Sequence, residues 1–542
     1  MATFIPSSEQ NAAIQFNGDM VIIARPGSGK TSVLSCKVRN KVSELQSYQG
    51  IIAISFTNKA SDELERRCKT NAFNTKASFF GTIDDFCLRE IIFPFARQLM
   101  FMPSEVKTAK MKELPESVLN LLPSTLVEDG NVTNIIRFLP FIKEAFSQGL
   151  IPLEALGMIS NYVMGKSLSC QRYLVARYRA VYIDEYQDSG YFQHQLFKNL
   201  KMLGLTAVAV GDEDQSIYAF AKKDSKYLLA LTENDSGFAH FSITTNFRCH
   251  PSINEFALRL LNQNHKVLPN QDMRVLIKSV NGDQKAIGRW LETAIPHLMH
   301  YYQIAQASKV AVLCRHQHSA RLIANNLGLA YRIFEDNPFK IAPTNEVTIL
   351  TDLLKLRYDI SMTAESIIDK TGFFKKNYQK RRALRKTILN CRTCNDNVLR
   401  DKVKAAAEDL IGQQLSPTSV TELEDICSNS SKLNWFERPS DNAIQIMTLH
   451  KSKGLEFDLV FHADLYDHVI PTRIYPPGTF GQIIFENEVQ CLNLHYVGVT
   501  RAVKACVLIT SNYRINGSGD VKNAEPSQFI GRNGTTAIPI TW

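Results

Sequence analysis

The sequence predicts an α/β protein with two parallel-sheet cores, each interrupted by a mostly helical insertion. Short runs rich in Val and Ile recur at 20–24, 51–56, 180–183, 207–210, 310–314, 444–447, 459–461 and 506–510. Most lead through a turn into a helix-like segment, the pattern of strands buried on both faces of a parallel sheet. The runs form two groups, one before residue 215 and one after 305, so two cores follow. Between them, residues 91–180 and 336–442 carry helical spacing with few β-branched runs. The expected organisation is a first core from 1–90 and 181–245 with insertion 91–180. A second core from 246–335 and 443–542 has insertion 336–442. A chain of 542 residues is also too long for one hydrophobic core.

Bulk properties narrow the class. With 44% hydrophobic and 21% charged residues, the composition is that of a folded soluble domain. The formal charge of +9 permits a nucleic-acid partner without requiring one. No apolar run is long enough to span a bilayer, so no membrane association is expected. The start, MATFIPSSEQNAA, lacks the basic flank and apolar stretch of a secretory signal. A cytoplasmic location is expected, and the eleven scattered cysteines read as free thiols. Cys391 and Cys394 form a lone CxxC, too few ligands for structural zinc.

The strongest chemical signal follows the first apolar run. Ala24-Arg25-Pro26-Gly27-Ser28-Gly29-Lys30-Thr31 is a phosphate-binding loop with Ala24 in the first glycine position. Gly27 and Gly29 let the backbone curl so that its N–H groups face phosphate oxygens, including that of Ser28. The following helix N-terminus adds partial positive charge. Lys30 is expected on the terminal phosphates of ATP and the Thr31 hydroxyl on Mg2+. The second acidic element such an enzyme needs is Asp184-Glu185, after Val181-Tyr182-Ile183. Asp184 is expected to hold magnesium and Glu185 to orient or deprotonate the attacking water.

These motifs, in this order, resemble the UvrD/Rep/PcrA helicases of superfamily 1A. The resemblance implies two RecA-like cores (1A, 2A) with inserted subdomains (1B, 2B). It also implies a DNA-dependent ATPase that moves 3′ to 5′ on single-stranded DNA. Gln10 matches the glutamine that reads adenine. Phe56, Thr57 and Asn58, in Ile54-Ser55-Phe56-Thr57-Asn58-Lys59-Ala60, match contacts to single-stranded DNA, as does Thr82 after Gly81. In Gly211-Asp212-Glu213-Asp214-Gln215-Ser216-Ile217-Tyr218, Gln215 would sense the γ-phosphate. Tyr218 and Phe220 would lie against bases. In Asn246-Phe247-Arg248, Phe247 would stack on adenine and Arg248 touch the γ-phosphate. Arg315 matches a DNA-contacting arginine. In Thr448-Leu449-His450-Lys451-Ser452-Lys453-Gly454-Leu455-Glu456-Phe457, His450 would contact DNA and Glu456 the ribose. Arg501, in Tyr496-Val497-Gly498-Val499-Thr500-Arg501-Ala502, would be the second arginine on the γ-phosphate.

The chain departs from that family in places. Ser32 replaces an adenine-stacking arginine, and Phe220-Ala221-Lys222 replaces Trp-Arg-Gly. Asp84 and Thr472 stand where DNA-contacting histidines are usual. The insertion 336–442 is compact. Phe80-Gly81-Thr82-Ile83-Asp84-Asp85-Phe86, Glu90-Ile91-Ile92-Phe93-Pro94-Phe95 and Asn246-Phe247-Arg248-Cys249 resemble the helicase-like subunit of Gabija antiphage systems. That resemblance implies a nuclease partner, GajA, in a hetero-oligomer that senses DNA ends or single strands. A stand-alone repair helicase, or a DNA-sensing regulatory subunit with little unwinding, remains open. The run 375–386 holds seven cations and no acid. It reads as a surface for duplex DNA, for an acidic partner, or simply for solvent. Residues 512–523 are expected to form a loop.

Overall fold

The computed structural model describes residues 4–56, 58–103, 106–123, 135–215, 225–265, 272–335, 337–339, 345–359, 362–371, 378–437, 440–474 and 484–541. The eight apolar runs become strands of two all-parallel sheets. In the first part of the chain the strands are β1 (Met20–Ala24), β2 (Gly50–Ile54), β3 (Phe79–Gly81), β4 (Lys107–Ala109), β5 (Leu150–Pro152), β6 (Tyr178–Ile183), β7 (Thr206–Gly211) and β8 (Ala239–Ile243). The first sheet has the order β3-β2-β6-β7-β1-β8. β2 is buried along its whole length and β1 at four of five positions, as parallel strands covered on both faces must be.

The second sheet is wider. Its strands are β9 (Val275–Val280), β10 (Val310–Cys314), β11 (Tyr331–Ile333), β12 (Ile444–Thr448) and β13 (Phe457–His462), followed by β16 (Ala502–Ser511) and β19 (Ile538–Pro539). Their order is β11-β12-β10-β13-β16-β9-β19. Two short antiparallel pairs stand apart from it, β14 (Thr472–Ile474) with β15 (Ile484–Glu486) and β17 (Tyr513–Ile515) with β18 (Val521–Asn523).

One expectation is corrected. Residues 512–523 are not a loop, because β17 and β18 pair as a hairpin. Its turn is built by Asn516, whose side-chain oxygen accepts the N–H groups of Ser518 and Asp520 at 3.1 and 2.8 Å. The stretch 91–180 is mainly helical but also holds the parallel pair β4–β5.

The two insertions are packed differently. Phe141, Phe146 and Ile159 of the first share one apolar core with Ile52 and Val181 of the first sheet. The second encloses a core of its own, with Leu350, Leu353, Ile388, Leu399 and Val403 fully buried. The helix Tyr378–Thr393 buries Leu384 and Ile388 there and turns Arg382, Arg385 and Lys386 outward. The rest of the basic run, 375–377, lies outside the described residues. Among the described residues no helix is long and apolar enough to cross a membrane. All eleven cysteines are unpaired.

One polar layer under the first sheet has a measurable consequence. Tyr186, directly after the acidic pair, is fully buried, and its hydroxyl lies 2.8 Å from Nδ1 of His194. Tyr227 stacks on the other side of that imidazole at 5.1 Å. Burial, with a smaller contribution from Lys198, pushes His194 down to about 4. The folded protein therefore stays neutral at His194 while the unfolded chain takes up a proton below its ordinary pKa of about 6.5. Stability from this group is present above pH 6.5 and is lost as pH falls toward 4. A His194→Gln variant should lose less stability than the wild type between pH 7 and 5. The difference in stability lost should reach about 2 kcal/mol at pH 5 by denaturant titration. Parallel profiles would contradict a buried neutral imidazole.

Candidate active site

The helix α1 (Ser8–Gln15), the helix α2 (Lys30–Ser43) and β1 frame the phosphate loop. Gly27 and Gly29 adopt φ +71° and +78°, the left-handed region that side chains disfavour. Gly29 is the N-cap of α2, so the first turn of the helix opens onto the loop. A Cβ on Gly27 would lie 2.7 Å from Asn246 Oδ1, and one on Gly29 would lie 2.8 Å from Gln10 Nε2. The loop is thus closed from two sides. Gln10 Nε2 donates to the Ser28 carbonyl at 2.8 Å. Asn246 Nδ2 donates to the Pro26 carbonyl at 2.8 Å, and the Phe247 N–H donates to Gly27 O at 2.9 Å. Asn246 Oδ1 also accepts the N–H groups of Arg248 and Cys249, both at 2.8 Å. This fixes the Asn-Phe-Arg turn against the loop and leaves the Phe247 ring 59% exposed.

The Lys30 ammonium hangs between two carboxylates, 3.9 Å from Glu185 and 3.9 Å from Asp212. It is buried and makes no hydrogen bond, and the buried Ser28 hydroxyl makes none either. Unspent buried donors beside a glycine cradle and a helix N-terminus fit a phosphate chain. Ala24 is fully buried at the end of β1, so its methyl group points away from the cradle into the core.

The acidic pair leaves the end of β6. The Asp184 N–H donates to Ile54 O at 2.9 Å, and Asp184 Oδ1 accepts the Glu185 N–H at 3.0 Å. Glu185 sits at φ +54°, a strained conformation for a non-glycine residue and one that recurs at functional sites. Burial and the adjacent Glu185 carboxylate push Asp184 up. At Glu185 burial is outweighed by Lys30 and Lys453, which hold it low. Asp184 and the Thr31 hydroxyl are the oxygen donors suited to a magnesium ion, a hard cation that prefers such ligands.

Gln187 and Gln215 tie these acids together. Gln187 Nε2 donates to Glu185 Oε2 at 2.6 Å, and its Oε1 accepts the Asp212 N–H at 3.0 Å. Gln215 Nε2 donates to Asp212 Oδ2 at 2.6 Å, while its Oε1 accepts from Arg501 Nη2 at 3.1 Å. Arg501 arrives from the second core and is 2% exposed. It also donates to the carbonyls of Val497 and Leu455, both at 3.1 Å. Burial and the nearby Arg248 push it down to about 10. Arg248 and Glu456 pair at 2.8 Å, on the rim beside Phe247.

One further residue was not assigned a role by sequence reasoning. Lys453 reaches across the seam between the cores to Asp188 Oδ2 at 2.6 Å and the Gln215 carbonyl at 2.8 Å. Its ammonium is also 4.0 Å from Glu185. The signal was present in Lys451-Ser452-Lys453-Gly454. Nothing in the sequence alone, however, distinguishes a lysine that crosses to another domain from one that faces solvent.

The residues expected on DNA are less closely gathered. Arg315 and His450 lie on the second core, where burial and the Arg315 charge push His450 down to about 4. Burial and Arg315 do the same to His316. The main-chain N–H groups of Arg315 and His316 both donate to buried Asp464, at 2.9 and 3.3 Å. Arg315 Nε is buried with no hydrogen-bond partner. Thr82 caps the helix Ile83–Phe86, its hydroxyl donating to Asp85 Oδ2 at 2.8 Å. Phe56 is half-buried and Asn58 opens the helix α3 (Asn58–Cys68). Ser32, where the resemblance has an arginine, receives the Arg67 guanidinium from α3 at 3.1 Å. Thr57, Tyr218 and Phe220 lie outside the described residues.

Comparison with known proteins agrees with this architecture. An AAA domain model matches residues 10–221, and a UvrD-like helicase C-terminal domain model matches residues 359–513. The Gabija protein GajB of Bacillus cereus (strain VD045) is 26% identical over 524 residues, covering 92% of this chain and 94% of that protein. The ATP-dependent DNA helicase PcrA of Bacillus subtilis is 22% identical, covering 93% and 82%. The ATP-dependent DNA helicase Rep of Escherichia coli K12 is 23% identical, covering 96% and 93%. With both halves matched and the phosphate loop, acidic pair and Arg501 meeting at one cleft, the chain belongs to the UvrD-like helicases and is an ATP-dependent helicase.

Proposed function

We propose that this helicase hydrolyses ATP in the cleft between its two sheets and moves 3′ to 5′ along single-stranded DNA. We further propose that it serves as the DNA-sensing subunit of a Gabija-type antiphage complex with a nuclease partner. The observation that carries the motor reading is the convergence of Lys30 and Glu185 from one core with Lys453 and Arg501 from the other. On this reading residues 1–90 and 181–245 form core 1A, and 246–335 with 443–542 form core 2A. Insertions 1B and 2B are then 91–180 and 336–442.

The roles follow from charge and position. Gln10 and Phe247 take the adenine, Glu456 takes the ribose, and Ala24 to Thr31 cradle the phosphates. Thr31 and Asp184 would hold magnesium, which would neutralise phosphate charge. Glu185, kept ionised by two lysines, accepts the proton of the attacking water. Arg248 and Arg501 meet the charge that develops on the transferred phosphoryl group, and Gln215 links Arg501 to Asp212. Because the two arginines and Lys453 come from the second core, the hydrolytic site is complete only when the cores are closed. Opening and closing then moves Phe56, Thr57, Asn58, Thr82, Tyr218 and Phe220 of one core against Arg315 and His450 of the other. That is a stepping motion along a strand. Base–aromatic stacking tolerates any sequence. The Gabija assignment is supported by the 26% identity to GajB over almost the whole of both chains. The compact second insertion agrees with it.

Turnover of ATP with and without single-stranded DNA tests the motor. Stimulation by DNA, abolished by Lys30→Ala and reduced about a thousandfold by Arg501→Ala, is expected. Equal turnover in the Lys30 variant, or indifference to every single strand offered, would overturn the reading. Co-expression beside a nuclease of the ABC-ATPase and Toprim type tests the complex, and separate elution on gel filtration would count against it. Lys453→Ala removes the ammonium from buried Asp188 and should cost about 3 kcal/mol of stability. It should lower the melting temperature and speed amide exchange at 212–215 together. An unchanged exchange rate there would show that the cores do not depend on this contact.

A further inference from the structure

Among the described residues there is one buried lysine that the hydrolytic site does not use. Lys37 lies on α2 and is 5% exposed. Its ammonium donates to the carbonyls of Ala13 at 2.9 Å, Phe16 at 2.6 Å and Ile14 at 3.5 Å. These are main-chain acceptors at the end of α1, a helix of eight residues with no basic residue in its own last turn. Among the described residues no carboxylate pairs with Lys37. Its charge is balanced by the orphan carbonyls and the negative end of the helix dipole. Burial alone pushes it down to about 8, so it remains mostly charged near neutrality.

The other end of α1 carries Gln10, and there the contacts are equally specific. Ser7 and Gln10 form a reciprocal cap. The Ser7 N–H donates to Gln10 Oε1 at 2.8 Å, and the Gln10 N–H donates to Ser7 Oγ at 3.3 Å. The amide nitrogen of Gln10 then reaches the Ser28 carbonyl in the phosphate loop. Lys30 and Lys37 are seven residues apart on α2, so they project from one face of that helix about 10 Å apart. One face of α2 thus reaches the phosphate cradle at its first turn and grips the end of α1 two turns later.

We propose that Lys37 is a positioning residue for nucleotide selection. It clamps α1 to α2 and so fixes the distance between Gln10, which reads the base, and the loop that holds the phosphates. The proposal rests on the reading of Gln10 given above. Loss of the clamp leaves the catalytic groups in place but frees the base-reading helix. KM for ATP rises much more than kcat falls, and ATP loses its advantage over GTP.

The full-length protein with saturating single-stranded DNA is assayed with ATP and with GTP. The readout is the ratio of the two kcat/KM values, which is independent of the fraction of protein folded. Lys37→Met should lower that ratio about tenfold, the scale of one hydrogen bond in a recognition site. Lys37→Arg should restore it. Gln10→Ala should lower it at least as far, and the double variant should be no worse than Gln10→Ala alone. A ratio unchanged in Lys37→Met but lowered in Gln10→Ala would overturn the positioning role and leave Lys37 a structural clamp. A ratio unchanged in Gln10→Ala would overturn the base-reading role of Gln10 and the proposal with it.

Discussion

Between the two sheets, charges that water would otherwise solvate face one another with little solvent. Lys30, Lys453 and Arg501 meet Glu185, Asp188 and Asp212 there, and all except Glu185 have side chains that are at least nine-tenths buried or close to it. A buried charge without a partner is costly, and a pair is tolerated only with good geometry and further hydrogen bonds. Here the geometry needs both cores. The cations are shared between domains that are far apart in sequence, so the polar seam resists separation and favours the relative placement of the sheets seen here. The same arrangement leaves Lys30 without a hydrogen bond. Satisfaction of the seam is therefore incomplete at the one cation best placed to receive an anion.

The fold brings these groups together through a common rule of parallel sheets. Loops at the carboxyl ends of adjacent strands converge on one edge. The phosphate loop follows β1, the acidic pair follows β6 and Gln215 follows β7, and these strands are neighbours in the order β6-β7-β1. Three segments separated by up to about 190 residues thereby share a site without any of them being long. The second core supplies its groups differently. Lys453 comes from the loop between β12 and β13, and Arg501 from the turn between the helix Glu488–Val499 and β16.

What the sequence made legible was what repeats or is locally complete. Strands such as 310–314 are continuous apolar runs, so burial on both faces is written in their composition. The phosphate loop needs only eight consecutive residues to be recognisable. Most strands that escaped notice are of another kind. β3 has three residues, and β8 alternates half-buried and exposed positions at the sheet edge before buried Ile243, as Ala239-His240-Phe241-Ser242-Ile243 shows. The hairpin β17–β18 is polar and largely exposed, so its Asn and Gly residues read as a loop. Lys453 and Lys37 were invisible for a deeper reason. Each is defined by a partner in another element, Asp188 in one case and the carbonyls of α1 in the other. Nothing in the local sequence distinguishes a buried lysine from a solvated one.

The strand β13 joins two parts of the second core that the local motifs treat separately. Directly after it, Asp464 at φ +61° accepts the N–H groups of Arg315 and His316, so the turn after β10 cannot shift without it. Two residues earlier, His462 Nε2 lies 3.0 Å from Nδ1 of His495, and both imidazoles are fully buried. His495 belongs to the helix Glu488–Val499, whose end leads directly to Thr500 and Arg501. The approach is too close for adjustment, since a Cβ on Gly498 would lie 2.8 Å from the His462 ring. Close-packed interiors transmit displacement rather than absorb it. The helix that leads to Arg501 is thus packed directly on the end of β13, and the residue two positions beyond β13 holds the turn that presents Arg315. The distance between the arginine of the nucleotide cleft and the arginine of the opposite turn is bridged by one strand end and one pair of neutral histidines.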